Sequence, residues 1–101
     1  MKINFNQPIK QLGKDEPILK PNSTEPFCLK DAAVEALLAP EENQTGEEKA
    51  KRYLMATRVY VNPEGVDFTV EEIAKIKQAI GKGYGPLVVG QAWSFLDPME
   101  K

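Results

Sequence analysis

Histidine is absent from the chain, and cysteine occurs once, at Cys28. With no imidazole and a single thiol, the usual structural and catalytic zinc ligand sets cannot be assembled, and no intramolecular disulfide can form. A nucleophile at Cys28 would likewise lack a conventional base. Excess charge of either sign is missing too: 13 basic against 15 acidic residues leave a net charge of −2. No long-range field therefore draws the protein onto nucleic acid or an anionic membrane. Met1 to Phe5 contains no apolar core of a secretory signal, and no hydrophobic run is long enough to span a bilayer. The expectation is a protein without metal, cofactor or membrane anchor, in a reducing cytoplasm.

What is present is the make-up of a soluble globular domain, with 42% hydrophobic and 28% charged residues over 101 positions. A chain of this size accommodates one core, so 1–101 is expected to be a single domain. Residues 1–28 form an N-terminal hairpin and connector, and residues 29–97 a helical bundle. In the first part Ile3 and Phe5 alternate with polar residues. Ile9, Leu12, the Gly13-Lys14-Asp15-Glu16 turn and Pro17-Ile18-Leu19 then read as a β-hairpin, which its prolines keep at an edge. No internal repeat is evident along the sequence.

Four helices are predicted, arranged as helix-loop-helix pairs, in a mainly α fold that is α+β only at the margin. The first runs from Leu29 to Ala39, buries Val34, Leu37 and Leu38, and stops at Pro40. The second opens with Thr45 and Glu48 spaced as a capping box, and carries Ala50, Tyr53, Leu54, Thr57 and Val61 as its buried stripe. Glu47 with Lys51 and Glu48 with Arg52 stand four apart, the spacing of helical ion pairs. Asn62-Pro63-Glu64-Gly65 ends it. Extended Val66-Asp67-Phe68 leads to a third helix, with Thr69 and Glu72 as a second capping box, Phe68 and Ile73 as a hydrophobic staple, and Ile73, Ile76 and Ile80 inward. Gly81 to Gly85 reverses the chain.

The last helix opens at Pro86 and ends at Asp97-Pro98. Val88, Val89, Ala92, Trp93, Phe95 and Leu96 give it an apolar arc so wide that it is expected in the middle of the bundle, with Gly90 admitting a neighbouring backbone.

Motifs with known chemistry fail on inspection. Lys82-Gly83-Tyr84-Gly85 copies the opening of an RNA-recognition signature, but Pro86 cannot continue a central strand. The outline from Tyr53 to Ile80 is that of an EF-hand, yet Val61, Pro63 and Gly65 fall on ligand positions and provide no oxygen cage. The remaining anomaly is Met55 and Val59, one turn apart on the charged side of the second helix beside Arg52 and Arg58. Either the N-terminal hairpin covers them, or these four residues are a contact patch for another protein. In the second case, Met55→Asp with Val59→Lys would leave thermal stability nearly unchanged.

Leu29-Lys30-Asp31, Gly46-Glu47-Glu48-Lys49 with Lys51-Arg52-Tyr53, Val66-Asp67-Phe68-Thr69 with Glu72-Ile73-Ala74, and Tyr84 with Pro86 to Trp93 together resemble a family of small proteins encoded by tailed bacteriophages and prophages. The resemblance spans most of the chain. It implies a phage origin and a non-catalytic role through protein contact, in virion assembly or on a host protein, in the bacterial cytoplasm or the virion. Partners would be a phage structural protein, a bacterial host protein or a further copy of the chain. The alternative is a nucleic-acid-associated regulator contacting phosphates through Lys49, Lys51, Arg52 and Arg58, or through Lys75, Lys77 and Lys82.

Overall fold

Both capping boxes form as their spacing requires. The Thr45 hydroxyl accepts from the Glu48 amide (3.1 Å) while the Glu48 carboxylate accepts from the Thr45 amide (3.0 Å), and Thr69 with Glu72 repeats the exchange at 3.1 and 2.9 Å. The computed structural model describes residues 2–96. The element order is β1 (Lys2–Ile3), α1 (Leu29–Leu38), α2 (Gly46–Val61), β2 (Val66–Asp67), α3 (Val70–Gly83) and α4 (Pro86–Leu96). The fold is thus mainly α with a small β component. The expected stop at Asp97-Pro98 lies outside the described residues, and α3 runs two residues past Gly81 before Tyr84 caps it through its amide to Ile80 O (3.1 Å).

β1 pairs antiparallel with β2, placing Lys2 opposite Asp67 and Ile3 opposite Val66. The N-terminus is thereby stitched to the connector between α2 and α3. Phe5 and Phe68 meet edge-on inside this junction (5.9 Å, 80°), a favourable aromatic geometry. Phe68 and Ile73, the expected staple, are both buried in the core cluster.

The helix at the centre is α1, not α4. It packs against α2, α3 and α4, and the small residues Ala32, Ala33 and Ala36 on its buried surface allow three neighbours to approach. In α4 only Ala92 and Leu96 are fully buried, with Trp93 40% exposed at the edge of α3. The expectation of a central α4 is therefore corrected. A strongly apolar sequence permits burial all round, but a short helix at one side of the molecule has neighbours on one side alone. Gly90 has open space beside it, whereas the close approach is at Gly81, 3.4 Å from the Trp93 ring when a Cβ is placed there. The indole N–H donates to Lys77 O (3.0 Å), so the ring lies along α3.

Residues 8–28 hold a feature the linear reading missed. Ile9 N–H donates to Phe27 O (2.8 Å), Phe27 N–H to Ile18 O (2.7 Å) and Ile18 N–H to Ile9 O (2.8 Å), a closed ring of three backbone hydrogen bonds. Isolated bridges pair Lys10 with Pro17, Leu19 with Pro26 and Pro8 with Cys28. The two turns between are equivalent. Gln11 N–H reaches Glu16 O and Lys20 N–H reaches Glu25 O, both at 2.9 Å, and the left-handed positions Gly13 (φ +71°) and Asn22 (φ +58°) correspond. The expected hairpin is present as one edge of a pseudo-threefold bead, whose repeat opens at Pro8, Pro17 and Pro26. Each of those prolines occupies a position whose amide would point away from the ring, so its missing donor costs nothing. The opening proline and the apolar residue after it recur three times, while the left-handed position (Gly13, Asn22) and the glutamate before the next proline (Glu16, Glu25) recur twice, and the differing side chains between them hide the repeat.

The bead is fixed to the bundle by Gln91. Its Oε1 accepts from Lys10 N–H (2.8 Å) and its Nε2 donates to Lys10 O (2.7 Å), so the side-chain amide stands in for a neighbouring strand.

Candidate interaction surface on α2

At 100° per residue, the buried positions of α2 centre on Met55, Ala56 and Val59, and Ala50, Leu54, Thr57 and Val61 lie roughly opposite. Met55 is 5% and Val59 0% exposed, whereas Leu54 is 58%, Tyr53 61% and Val61 72% exposed. The helix is inserted with the face opposite to the expected one inward. The proposed outward patch of Met55 and Val59 belongs to the core cluster, and the expected core stripe faces away from the other helices.

Arg52 supplies the physical reason. Its Nε donates to Leu37 O (3.0 Å), one terminal nitrogen to Ala36 O (2.7 Å) and the other to Glu41 Oε2 (2.9 Å). The last carbonyls of a helix have no intrahelical donor, and a cation there also offsets the negative end of the dipole. Arg52 thus caps α1 from the side, and the face that carries it, with Met55, Ala56 and Val59, turns inward. The expected Glu48–Arg52 pair does not form, because Glu48 caps its own helix.

Arg58 is similarly committed. One terminal nitrogen donates to Asp67 O, the other to Glu72 (3.4 Å), and the guanidinium lies over the Phe68 ring at 4.5 Å. It holds the connector before α3. None of the four residues first assigned to a contact patch is therefore free for one: Met55 and Val59 are interior, and Arg52 and Arg58 bind the fold together.

The residues that do face outward form a continuous stripe with defined borders. Tyr53 and Tyr60 border it on the side of α1, where Lys30 stands 5.3 Å from the Tyr60 ring. On the side of α3 a cleft separates the two helices. A cavity of about 280 Å³ has Leu37, Met55 and Ala79 among its lining, and a second, of about 590 Å³, reaches Leu54 and Thr57. Glu41 closes one end, accepting from Arg52 and from Lys82 (3.2 Å), and these two cations hold its carboxyl below the usual carboxylate range, Lys82 foremost. Lys51 and Lys75 line both cavities.

Elsewhere Cys28 is half-buried at the start of α1. Burial first, and the Asp31 carboxylate second, push its thiol up, which opposes nucleophilic reactivity. Among the described residues no cluster of three or more acidic or thiol side chains is arranged to hold a metal. No helix among them is long and apolar enough to cross a membrane. Comparison with family models, with curated proteins and with solved structures finds no match.

Proposed function

We propose that the protein is a non-catalytic protein-interaction module of phage or prophage origin, accessory to virion assembly or directed at a host protein, with the outer stripe of α2 as its contact face. One observation carries this reading: Tyr53, Leu54, Tyr60 and Val61 are exposed together on one helix, while the opposite face of the same helix fills the core. Apolar side chains grouped on one surface and bordered by polar residues favour association over continued hydration. The phage origin rests on the sequence resemblance alone.

The nucleic-acid reading draws on one feature, that Lys51, Arg58, Lys75 and Lys82 stand along the same cleft. Against it, Arg58 and Lys82 are already paired with Glu72 and Glu41. The deciding experiment is affinity purification of the tagged full chain from infected or lysogenic cells, in parallel with Leu54→Glu/Val61→Glu. A stoichiometric phage or host protein recovered with the wild type and lost with the variant supports the contact face. Equal recovery by a variant of unchanged melting temperature removes it, and tight binding of DNA or RNA that weakens steeply with salt favours the alternative.

A further inference from the structure

In the bead, Lys10, Leu19 and Cys28 stand at equivalent places, each the second residue after an opening proline and each bridged to the opening proline of another repeat. The hydrogen bonds that make each bridge run between the flanking residues, so the N–H and C=O of the bridged residue point away from the proline it faces. Two of these three outward pairs are filled from within the chain. Gln91 answers Lys10 with both atoms of its carboxamide, accepting from the N–H (2.8 Å) and donating to the carbonyl (2.7 Å). At Cys28 the Asp31 carboxylate accepts from the N–H (2.9 Å), while the carbonyl accepts from the α1 amides of Asp31 (3.0 Å) and Ala32 (3.2 Å). Leu19 is the exception. Neither its N–H nor its C=O has a partner among the described residues, and the residue is 50% exposed.

We propose that Leu19 is a recognition site for a primary carboxamide, filled by a glutamine that a partner protein presents from a helix as α4 presents Gln91. The outward pair needs an acceptor and a donor held side by side. A carboxylate has no donor for the carbonyl, and an ammonium has no acceptor for the N–H. An added β-strand carries both groups, but it would extend its ladder to donors two residues to either side, and Pro17 and Pro21 have none there. One rung is all this edge offers, and one carboxamide fills it. The exposed Leu19 side chain gives the presenting helix an apolar surface beside the rung. The site lies on the bead and does not depend on α2 being a contact face, so either can fail while the other stands.

The probe is a synthetic peptide of the α4 sequence Pro86–Leu96 with a polar solubilising tail, and its control carries Gln91→Glu. Each is titrated into the isotope-labelled full chain, and the amide chemical shifts are followed by NMR. The glutamine peptide is expected to move the Leu19 amide most and to bind about ten-fold more tightly than the control, as two hydrogen bonds at a partly exposed edge allow. Leu19→Pro removes the outward donor alone and should lower the affinity, read at the Lys20 amide, to that of the control. Should that variant fail to fold, ligation of residues 1–27 to residues 28–101 at Cys28, with leucic acid in place of Leu19, removes the same N–H from the full chain and keeps the side chain. Equal affinities of the two peptides, a largest shift at Lys10 or on α2, unchanged affinity without the Leu19 N–H, or no binding overturns the proposal. So does a Leu19 shift that grows with protein concentration alone, which makes a second copy of the chain the occupant.

Discussion

At the residue scale, Tyr84 shows how one polar side chain is placed by elements far apart in sequence. Its hydroxyl donates to Glu35 Oε1 (2.6 Å), joining the end of α3 to α1, and its ring packs at 5.9 Å from Phe27 of the bead. Burial, and then the Glu35 carboxylate that accepts its proton, push the phenol well above its ordinary range. The folded state therefore keeps a proton that the unfolded chain releases once pH passes the ordinary phenol value. Stability from this group is complete below that value and declines as pH rises beyond it toward the folded one. Tyr84→Phe is expected to cost about 1 kcal/mol near neutral pH and to remove this component of the alkaline decline. Denaturant melts at neutral and alkaline pH measure it, and an unchanged alkaline slope in the variant refutes it. Nothing at Tyr84 in the sequence announces the partner, since Glu35 is one of several acids in its block.

At the scale of elements, α2 is the instructive case. Its boundaries and its N-terminal cap were legible, because Thr45, Glu48 and Asn62 act locally. Its orientation was not. Two faces of comparable apolarity compete, and the selection depends on α1 ending where Arg52 reaches its carbonyls, a contact across 15 residues of sequence. Neighbouring positions on this helix should therefore respond oppositely to one substitution. Met55→Glu places a carboxylate in the core and is expected to cost about 3 kcal/mol or more. Leu54→Glu, one position away on the outer face, should stay within about 0.5 kcal/mol. Thermal melts of the two variants decide the matter, and comparable losses at both positions would show that the outer stripe is covered within the molecule. This also revises the expectation for Met55→Asp with Val59→Lys, which is now a large loss of stability. The bead repeats the lesson: its first turn was readable from Gly13, whereas its threefold closure depends on backbone pairing among three segments that share few side chains.

At the scale of the whole molecule, the core is organised around α1, with α2 and α3 on it, α4 beside α3, and the bead pinned to α4 through Gln91. Local stability follows the density of packing, so α1 and the inner face of α3 should open least often. Native-state hydrogen exchange is expected to be slowest at the amides of Ala33, Ala36 and Ile76, faster across α4, and fastest in the bead turns around Gly13 and Asn22. Slowest exchange in α4 would restore it as the structural centre. The same arrangement leaves the outer stripe of α2 exposed beside the cleft between α2 and α3, and on that surface the proposed function depends.

The sequence by itself determined where the helices start, their N-terminal capping boxes at Thr45 and Thr69, and the exclusion of a histidine-based or disulfide chemistry, because each depends on residues within a few positions of one another or on composition alone. The tertiary structure decided which helix is central, which side of α2 is interior and where Arg52, Arg58, Tyr84 and Gln91 find their partners. Those outcomes depend on the relative burial of competing apolar faces and on carbonyls and carboxylates brought close by folding, and no periodicity within a single helix contains that information.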